Sequence, residues 1–280
     1  MGAHLAARLH GAGHGLFVLP SPHFRPARLD GVAYQVVAHA AEARADLVYH
    51  LASTPMTDAI ADHTHQDVIL GGTRRLLEQL RGQAPRRLVM TGSAAEYGSG
   101  HGWREDDTPR PDTAFGRLKS AAAGMVCASG MASVHLRVFT PFGEGEAPGR
   151  LVASVAQAAR AGQPVRLTSD GRQTRDYIYV ADLVDALVEA GQRPLESGIA
   201  INICSGVARR VIDVARRIVE LAGGGPAVEP GLMPAAALTQ SSGNGERADR
   251  LLGWRPRIGF DEGLRRTLHA LSQAKEQTTV

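Results

Sequence analysis

Leu88-Val89-Met90-Thr91 is a short apolar run of the kind that forms a buried β-strand. Residues on its N-terminal side recur at helical spacing, namely Ile69, Leu70, Thr73, Leu76, Leu77 and Leu80. On its C-terminal side, residues 121–131 predict the second half of a helix that also carries Lys119. Three further runs predict strands: Leu16-Phe17-Val18-Leu19, Leu47-Val48-Tyr49-His50-Leu51 and Val134-His135-Leu136-Arg137-Val138. Because strands and helices alternate, the sequence predicts an α/β fold with a doubly wound parallel sheet.

The pattern becomes mixed after Phe142. Strands are predicted at Val165-Arg166-Leu167, Tyr177-Ile178-Tyr179-Val180 and Ile201-Asn202-Ile203, and helices near 182–191, 209–222 and 261–273. Two stretches rich in Gly and Ser predict loops, namely Gly223-Gly224-Gly225-Pro226 and Ser241-Ser242-Gly243-Asn244-Gly245. The C-terminal half is therefore expected to form a smaller α/β lobe.

Composition narrows the class of protein. The 280 residues are 44% hydrophobic, yet no run of about 18 uncharged apolar residues predicts a membrane span. Residues 1–9 lack the basic-then-apolar order of a secretion signal, and two cysteines suit a reducing cytoplasm. The formal net charge is +3, and Lys and Arg are scattered, which favours an anionic small molecule over nucleic acid as the partner.

Several landmarks follow one another in a fixed order. They are Asp46-Leu47-Val48-Tyr49-His50-Leu51-Ala52-Ser53, Thr91-Gly92-Ser93-Ala94-Ala95-Glu96-Tyr97-Gly98, Phe115-Gly116-Arg117-Leu118-Lys119, Leu136-Arg137-Val138-Phe139-Thr140-Pro141-Phe142-Gly143, Asp170-Gly171-Arg172-Gln173-Thr174-Arg175-Asp176-Tyr177-Ile178-Tyr179-Val180 and Leu252-Gly253-Trp254-Arg255-Pro256. Together they resemble the extended short-chain dehydrogenase/reductases of the NAD-dependent epimerase/dehydratase family, over nearly the whole chain. The resemblance implies a Rossmann-type dinucleotide-binding domain at 1–145 and a substrate-binding lobe at 146–280, with some segments returning to the first domain. It also implies NAD or NADP as cofactor and a nucleoside-diphosphate sugar as substrate. The one protein partner expected is a second copy of the chain, in a homodimer.

The resemblance assigns three catalytic positions. Ser93 is expected to hydrogen-bond the reacting sugar oxygen, and Lys119 to hold the nicotinamide ribose. Phe115 occupies the place of the tyrosine in Tyr-x-x-x-Lys, whose phenol exchanges a proton with the sugar hydroxyl in ordinary members. A phenyl ring has no exchangeable proton, so the proton-transfer step is altered. The alternative to a catalytic role is that Ser93 only caps a turn and that Lys119 lies on a solvated face of its helix.

Binding positions follow from the same resemblance. Gly2, Leu51 and Ala52 are expected along the cofactor, and Thr140 near the substrate in place of a common Asn. Arg175 matches the arginine that pairs with the diphosphate of a nucleotide sugar, which suits a planar bidentate fork. The alternative for Arg175 is a structural ion pair with Asp176 or Asp182.

The cofactor segments depart from the family's pattern. Gly2 aligns with the third glycine of a Gly-x-x-Gly-x-x-Gly turn, while the strand and two glycines before it are absent. We therefore expect about ten further residues, a strand followed by Gly-x-x-Gly, in frame upstream of Met1. His23, Arg25 or Arg28 could meet a 2′-phosphate, which would favour NADP, or could be ordinary surface residues.

Other chemistries find little support in the sequence. The histidines lack metal-ligand spacing, and His63-Thr64-His65 is expected to be a helix-surface pair. Sugar 4,6-dehydratases of the family carry an Asp-Glu pair where this chain has Ala94 and Ala95. Glu96 lies one residue after the place of that acidic pair, so it is expected to point elsewhere than the dehydratase acids do. Separately, Glu105-Asp106-Asp107 is expected to be a solvated acidic loop.

Two functions remain open. The first is a 4-epimerase or 4-ketoreductase of a nucleoside-diphosphate sugar, in which water held by Ser93 or the hydroxyl of Tyr97 replaces the missing phenol. The second is a degenerate member that binds a ligand or a partner chain without redox turnover.

Overall fold

The computed structural model describes residues 1–21, 24–54, 61–83, 85–147, 149–225, 227–235 and 239–276. The N-terminal half contains helices α1 (Gly2–Gly11), α2 (Ala40–Ala43), α3 (Asp62–Gln66), α4 (Gly72–Gln79) and α5 (Ala114–Ala128). Its strands are β1 (Phe17–Val18), β2 (Gln35–Val36), β3 (Leu47–His50), β4 (Arg87–Thr91), β5 (Gly100–Trp103), β6 (Ser133–Val138) and β7 (Thr140–Phe142). A π-helical turn at Asp67–Gly71 joins α3 to α4, and a 3₁₀ turn at Ala94–Glu96 follows β4.

The C-terminal half contains five helices among the residues described. They are α6 (Leu151–Arg160), α7 (Val180–Gln192), α8 (Val211–Leu221), α9 (Glu246–Leu252) and α10 (Phe260–Glu276). The strands between them are β8 (Val165–Arg166), β9 (Thr174–Tyr179), β10 (Ile199–Ile203), β11 (Ala208–Arg210), β12 (Val228–Glu229) and β13 (Ser241–Gly243). The predicted strands and helices are present within a few residues of their predicted bounds.

The main sheet is parallel and has the strand order β10-β6-β4-β3. Every residue of β4 is buried, because helices cover both faces of the sheet. Leu88 and Met90 pack towards α4 and α5, whereas Val89, between them, packs towards α7. The predicted α/β fold with a parallel sheet is confirmed, and β10 brings part of the C-terminal half back to this sheet.

The two strands β1 and β2 form a separate parallel pair. In the residues described, neither strand is hydrogen-bonded to the main sheet. Helix α1 lies against α7 and buries Leu5 in the core on that face. The connection before β3 was expected to leave little room for a helix, and it holds only the four residues of α2.

The C-terminal lobe is built around a three-stranded sheet of order β11-β9-β7. Strand β9 runs parallel to β7 and antiparallel to β11. Helices α6, α8 and α10 pack on it around Phe142, Val155, Ile218 and Leu264. This arrangement places the start of β7 beside the middle of β9, where Thr140 pairs with Tyr177.

The prediction of a loop at 241–245 is wrong for its first three residues. Ser241–Gly243 is strand β13, which runs parallel to β5 and is buried. The Ser242 hydroxyl accepts a hydrogen bond from the Gly102 N–H at 3.0 Å. A Cβ on Gly243 would lie 2.5 Å from Cζ of Phe139, so only glycine fits there. The composition of this segment, which is rich in small polar residues, indicates a loop. In the structure these small side chains instead allow the backbones of β13 and β5 to pack closely together.

Candidate active site

The parallel strands β3, β4 and β6 all end at the same edge of the main sheet. Leu51 and Ala52 follow β3, Ser93 follows β4, and Thr140 follows β6. In open α/β sheets, ligands bind outside the carboxyl ends of the strands. The fold therefore brings these four predicted site residues to the edge where a ligand is expected.

The N-terminus of α5 packs directly on the turn that carries Ser93. Thr113 caps α5 by accepting a hydrogen bond from the Gly116 N–H at 3.0 Å. A Cβ on Gly116 would lie 2.2 Å from the carbonyl oxygen of Ala95, so the helix can approach this closely only with glycine there. Phe115 and Lys119 are thereby fixed relative to Ser93.

Lys119 is buried beneath this turn, with only 3% of its surface exposed. Its Nζ donates a hydrogen bond to the carbonyl oxygen of Thr91 at 3.1 Å. Burial lowers the pKa of Lys119 to about 8, while the negative charge of Glu96 opposes that shift. The solvated-face alternative for Lys119 is therefore wrong.

Phe115 is half-buried at the position of the expected tyrosine. The ammonium nitrogen of Lys119 lies 5.9 Å from the centroid of its ring. On another side the His65 ring lies edge-on, with 6.2 Å between centroids and 75° between planes. His65 is buried, so the expectation of a helix-surface pair is wrong for this residue, although it holds for the exposed His63.

Ser93 caps the 3₁₀ turn that follows β4. Its Oγ accepts a hydrogen bond from the Ala95 N–H at 3.1 Å, and its own N–H donates to Oε1 of Glu96 at 2.7 Å. The capped-turn interpretation is thus correct as a description of the backbone. The cap uses the hydroxyl only as an acceptor, so the Ser93 O–H remains a donor for a ligand oxygen.

Glu96 points into the protein behind Ser93, which agrees with the expectation that it points elsewhere than a dehydratase acid would. It is 1% exposed, and its carboxylate pairs with His135 Nε2 at 2.9 Å and with Arg137 Nε at 3.3 Å. Burial alone would raise the pKa of Glu96, but His135, the Ser93 N–H and Arg137 hold it below its ordinary value. The Ser-x-x-Glu spacing of a capping box was the signal in the sequence that could have predicted this orientation.

Tyr97 is locked into a buried polar network. Its hydroxyl donates to Oδ1 of Asn202 at 2.8 Å and accepts from Nη1 of Arg137 at 2.8 Å. Burial raises the pKa of Tyr97 to about 12, with Arg137 opposing. The Trp103 ring stacks on the Tyr97 ring at 5.2 Å, between planes that differ by 5°. This network argues against Tyr97 as the replacement for the missing phenol.

The acidic loop 105–107 is only partly solvated. The carboxylate of Glu105 is 4% exposed and accepts a hydrogen bond from the Asn202 N–H at 2.8 Å. Asp106 is exposed and pairs with Nη2 of Arg247 at 2.6 Å. The expectation of a solvated loop is therefore wrong for Glu105. Its buried carboxylate is compensated by the hydrogen bond from Asn202, which lies far along the chain.

Arg175 and Thr140 lie in the same three-stranded sheet. Arg175 is half-buried on β9, and Thr140 pairs in register with Tyr177, two residues further along that strand. Burial lowers the pKa of Arg175, while Tyr177 and Asp112 oppose the shift. Arg175 is therefore a partly dehydrated cation in the first half of β9, the strand that pairs with β7.

The carboxylates proposed as alternative partners of Arg175 bind backbone donors. Asp176 is fully buried and accepts from the Ser205 N–H at 2.7 Å and the Gly206 N–H at 2.9 Å. Asp182 accepts from the N–H groups of Arg257 and Ile258 at 3.1 and 3.0 Å. Each of these carboxylates thus joins loops of the lobe together.

The first turn of α1 faces positive charge. The guanidinium groups of Arg28 and Arg150 lie close enough to Met1, at the start of this helix, for their charges to act there. A Cβ on Gly2 would meet Cδ1 of Leu51 at 3.9 Å, so these two predicted cofactor residues are neighbours. Helical N–H groups beside two guanidinium groups favour an anion.

The basic residues considered for a 2′-phosphate differ in position. Arg28 faces the start of α1, as described above, whereas Arg25 is exposed and donates to the carbonyl oxygen of Phe24 at 3.2 Å. His23 lies outside the described residues.

The described ranges of the chain contain neither a cluster of metal ligands nor a membrane-spanning helix. No group of three or more His, Cys, Asp or Glu side chains is placed to hold a metal ion there. Nor does any helix in those ranges have the length and apolar character needed to cross a membrane.

Comparison with known proteins agrees with this geometry. The sequence model of the NAD dependent epimerase/dehydratase family matches residues 1–204. The UDP-glucose 4-epimerase of Mycolicibacterium smegmatis is 26% identical over 297 aligned positions, which cover 96% of this chain and 94% of that protein.

Two solved structures have closely similar folds. MoeE5 in complex with UDP-glucuronic acid and NAD is 26% identical, with a TM-score of 0.87 over 98% of this chain and 96% of that one. The UDP-glucose 4-epimerase of Thermus thermophilus, in complex with NAD, is also 26% identical, with a TM-score of 0.87 and the same two coverages. The similarity therefore extends over both halves of the chain.

Proposed function

Because the chain belongs to the NAD-dependent epimerase/dehydratase family, we propose that it binds NAD and a nucleoside-diphosphate sugar at the edge that carries Ser93 and Lys119. The observation that carries this proposal is the burial of Lys119 directly beneath the Ser93 turn, with Nζ 3.1 Å from the Thr91 carbonyl. A buried ammonium has three N–H donors, and this contact uses one of them. The hydroxyl groups of a nicotinamide ribose are acceptors of the kind that such a cation binds.

The residues at the other end of the site fit a dinucleotide as well. The N–H groups at the start of α1, together with Arg28 and Arg150, favour a pyrophosphate. Gly2 and Leu51 line the path between that helix and β3. We therefore assign the cofactor to residues 1–145 and the nucleotide sugar to residues 146–280, with β10 returning to the main sheet.

The proposed reaction is that of a 4-epimerase or a 4-ketoreductase. Bound nicotinamide supplies the acceptor or donor of hydride. Ser93 Oγ–H donates a hydrogen bond to the sugar oxygen at the reacting carbon, where negative charge develops. Lys119 positions the ribose, and Arg175 pairs with the diphosphate, with Thr140 nearby on the neighbouring strand. Phe115 contributes a hydrophobic wall and no proton.

Calorimetry tests the binding half of this proposal. NAD, NADP and a UDP-sugar are titrated separately into the wild-type protein, and NAD binding is expected to be lost in Lys119→Met. Arg175→Gln is expected to weaken the UDP-sugar, whereas Arg172→Gln, on a side chain that is 86% exposed, is the matched control. Absence of binding by all three ligands would overturn the proposal.

A second function is favoured by one observation, the phenyl ring at position 115. A degenerate member would bind the nucleotide sugar or a partner chain without turnover. Turnover separates the two functions, since only the enzyme interconverts the 4-epimers of a nucleotide sugar or oxidises reduced nicotinamide with a 4-keto sugar. We favour the enzyme, because Ser93 and Lys119 are both retained and brought to one edge.

Location and assembly complete the proposal. Cys127 is exposed and Cys204 is buried, and neither forms a disulfide, which fits a reducing cytoplasm. We propose a homodimer, and one candidate contact is a depression between the ends of α4 and α5 that is lined by Leu77, Met125 and Met131 together with charged side chains such as Arg74 and Glu78. Light scattering tests whether the protein is a homodimer.

A further inference from the structure

His65 is a buried histidine in contact with the ring that replaces the expected phenol. Only 5% of its surface is exposed, and its ring meets the Phe115 ring edge-on at 6.2 Å. It lies on α3, directly before the π-helical turn Asp67–Gly71, and both segments pack on α5. Single π-helical turns inside helices are frequent at functional sites.

The orientation of the His65 ring is fixed by one hydrogen bond. Its Nδ1 lies 2.5 Å from Oγ1 of Thr54, which is itself buried. In the neutral tautomer with the proton on Nδ1, that proton is donated to Thr54 and the Nε2 lone pair becomes the basic position. Thr54 belongs to the segment after β3, so the ring is anchored to the edge that carries the site.

Other titratable groups around Phe115 have different partners. His50 Nε2 lies 2.8 Å from Thr73 Oγ1, whose proton goes to the Ile69 carbonyl at 2.6 Å. His50 must therefore donate from Nε2. Burial, with the charge of Lys119, lowers its pKa to about 4, so it stays neutral near neutral pH.

The remaining groups are no better placed to accept a proton. Lys119 is a cation that donates to Thr91, and Tyr97 is held by Asn202 and Arg137 with a pKa of about 12. His65 is left as the acid–base side chain in ring contact with Phe115, with one ring nitrogen held by Thr54.

We propose that His65 is the proton carrier of this site and takes over the task of the phenol that Phe115 lacks. The proposal rests on the proposed nucleotide-sugar function. When the sugar alcohol is oxidised, its carbinol hydrogen leaves as hydride to the oxidised nicotinamide, and its O–H proton passes to Nε2 of His65. The products are the ketone, the reduced nicotinamide and an imidazolium. Reduction returns the hydride and the same proton.

A rescue experiment tests the proposal with turnover as the readout. In His65→Asn the side-chain amide lies near the position of Nδ1 and can still hydrogen-bond to Thr54. In His65→Gln the polar side chain is similar in length to that of histidine. Both are expected to lose about 10²–10⁴-fold in kcat, the contribution of a positioned acid or base. His63→Gln, two residues earlier on the exposed side of α3, is the matched control and should retain wild-type turnover.

The decisive variant adds a phenol to the defective protein. Phe115→Tyr in the His65→Asn background is expected to restore most of the lost rate, because Lys119 lies four residues further along α5. A residue with a purely structural role would not be rescued by a hydroxyl on a neighbouring ring. Thermal unfolding of each variant checks that the proteins compared are folded.

A second readout does not depend on turnover. The His65 ring signals in a ¹⁵N–¹H NMR spectrum, assigned by their loss in His65→Asn, are expected to shift when a UDP-sugar is added to the NAD-loaded protein. Wild-type turnover in a folded His65→Asn protein would overturn the proposal, as would UDP-sugar binding that leaves the ring signals unmoved. If the wild type binds NAD and UDP-sugar but never turns over, His65 is not a carrier and only the binding function stands. If neither ligand binds, the proposed function itself fails.

Discussion

The ammonium nitrogen of Lys119 lies 5.9 Å from the centroid of the Phe115 ring. A tyrosine at position 115 would place a phenol close to this buried cation, which would lower the phenol pKa. In the His65→Asn background, Phe115→Tyr is therefore expected to raise hydride transfer towards a nucleotide sugar, by up to about 10²–10⁴-fold. Chromatography of the nucleotide-sugar products measures the rate.

The control for this prediction removes the cation. In Phe115→Tyr/Lys119→Met the phenol stays protonated near neutral pH, so the gain should vanish. If Phe115→Tyr leaves the rate of the His65→Asn protein unchanged while Ser93→Ala abolishes turnover of the wild type, the role assigned to position 115 is wrong.

Lys119 itself is expected to titrate within an accessible pH range. Burial lowers its pKa from 10.5 to about 8, a shift equivalent to about 3 kcal/mol. Between these pH values the folded protein binds fewer protons than the unfolded chain, so its free energy of unfolding rises with pH relative to that of Lys119→Met. Below pH 8 the full cost of burying the charge is present.

The sequence offers a direct way to measure this pKa. Lys119 and Lys275 are its only lysines, so selective ¹³C-lysine labelling gives two sets of side-chain signals. The signal lost in Lys119→Met is expected to titrate near pH 8. A midpoint near the ordinary lysine value would show that the amine is hydrated, and would contradict the buried position.

The fold was predictable where burial follows local sequence. Leu88, Val89 and Met90 form an unbroken apolar run because both faces of β4 are covered, and that run predicts the strand. Strand β13 could not be predicted in this way, since Ser241 and Gly243 owe their burial to pairing with β5, which lies far away in the sequence.

The site was predictable only in part for a similar reason. Ser93 and Lys119 could be placed because the spacing between them resembles a known motif. The burial of Glu96 depends on His135 and Arg137, about forty residues further along the chain. His65 is likewise buried by contact with Phe115, fifty residues away in sequence. Contacts between side chains that are far apart in the sequence leave no periodic pattern in the sequence from which this burial could be predicted.

Glu96→Gln tests the buried charge behind Ser93. The amide can still accept from the Ser93 N–H, but Arg137 loses its anionic partner, so the free energy of unfolding should fall by about 3 kcal/mol. Because the pKa of Glu96 is lowered by folding, its contribution is fully present above the ordinary value of 4.5 and is lost as the pH falls through the folded pKa. Urea unfolding near neutral pH and in acid measures both effects.

The same variant should also change Lys119. The negative charge of Glu96 raises the pKa of Lys119, so the Lys119 titration should move to lower pH in Glu96→Gln. An unchanged midpoint would mean that the two charges are screened from each other, and that Glu96 serves the turn alone.

Gly92 is expected to be intolerant of any side chain. A Cβ there would lie 2.3 Å from both Oε1 of Glu96 and Nε2 of His135. Gly92→Ala should therefore displace this ion pair and destabilise the fold by about 1–3 kcal/mol. Gly124, exposed in the middle of α5 with nothing within 4 Å of an added Cβ, is the control. Gly124→Ala should instead stabilise by about 0.5–1 kcal/mol, and equal effects at both positions would contradict the packing described.

Tyr97→Phe separates structural from catalytic use of the Tyr97 hydroxyl. Its removal leaves Oδ1 of Asn202 and Nη1 of Arg137 without this buried partner, so the free energy of unfolding should fall by about 1–3 kcal/mol. The stack on Trp103 needs only the ring and should persist, which tryptophan fluorescence can check.

Turnover measured well below the melting temperature should stay within a few-fold of wild type, since a phenol with a pKa of about 12 does not exchange the substrate proton. A collapse of turnover in a stable Tyr97→Phe protein would make Tyr97 the proton carrier and would require its network with Arg137 to open during the reaction.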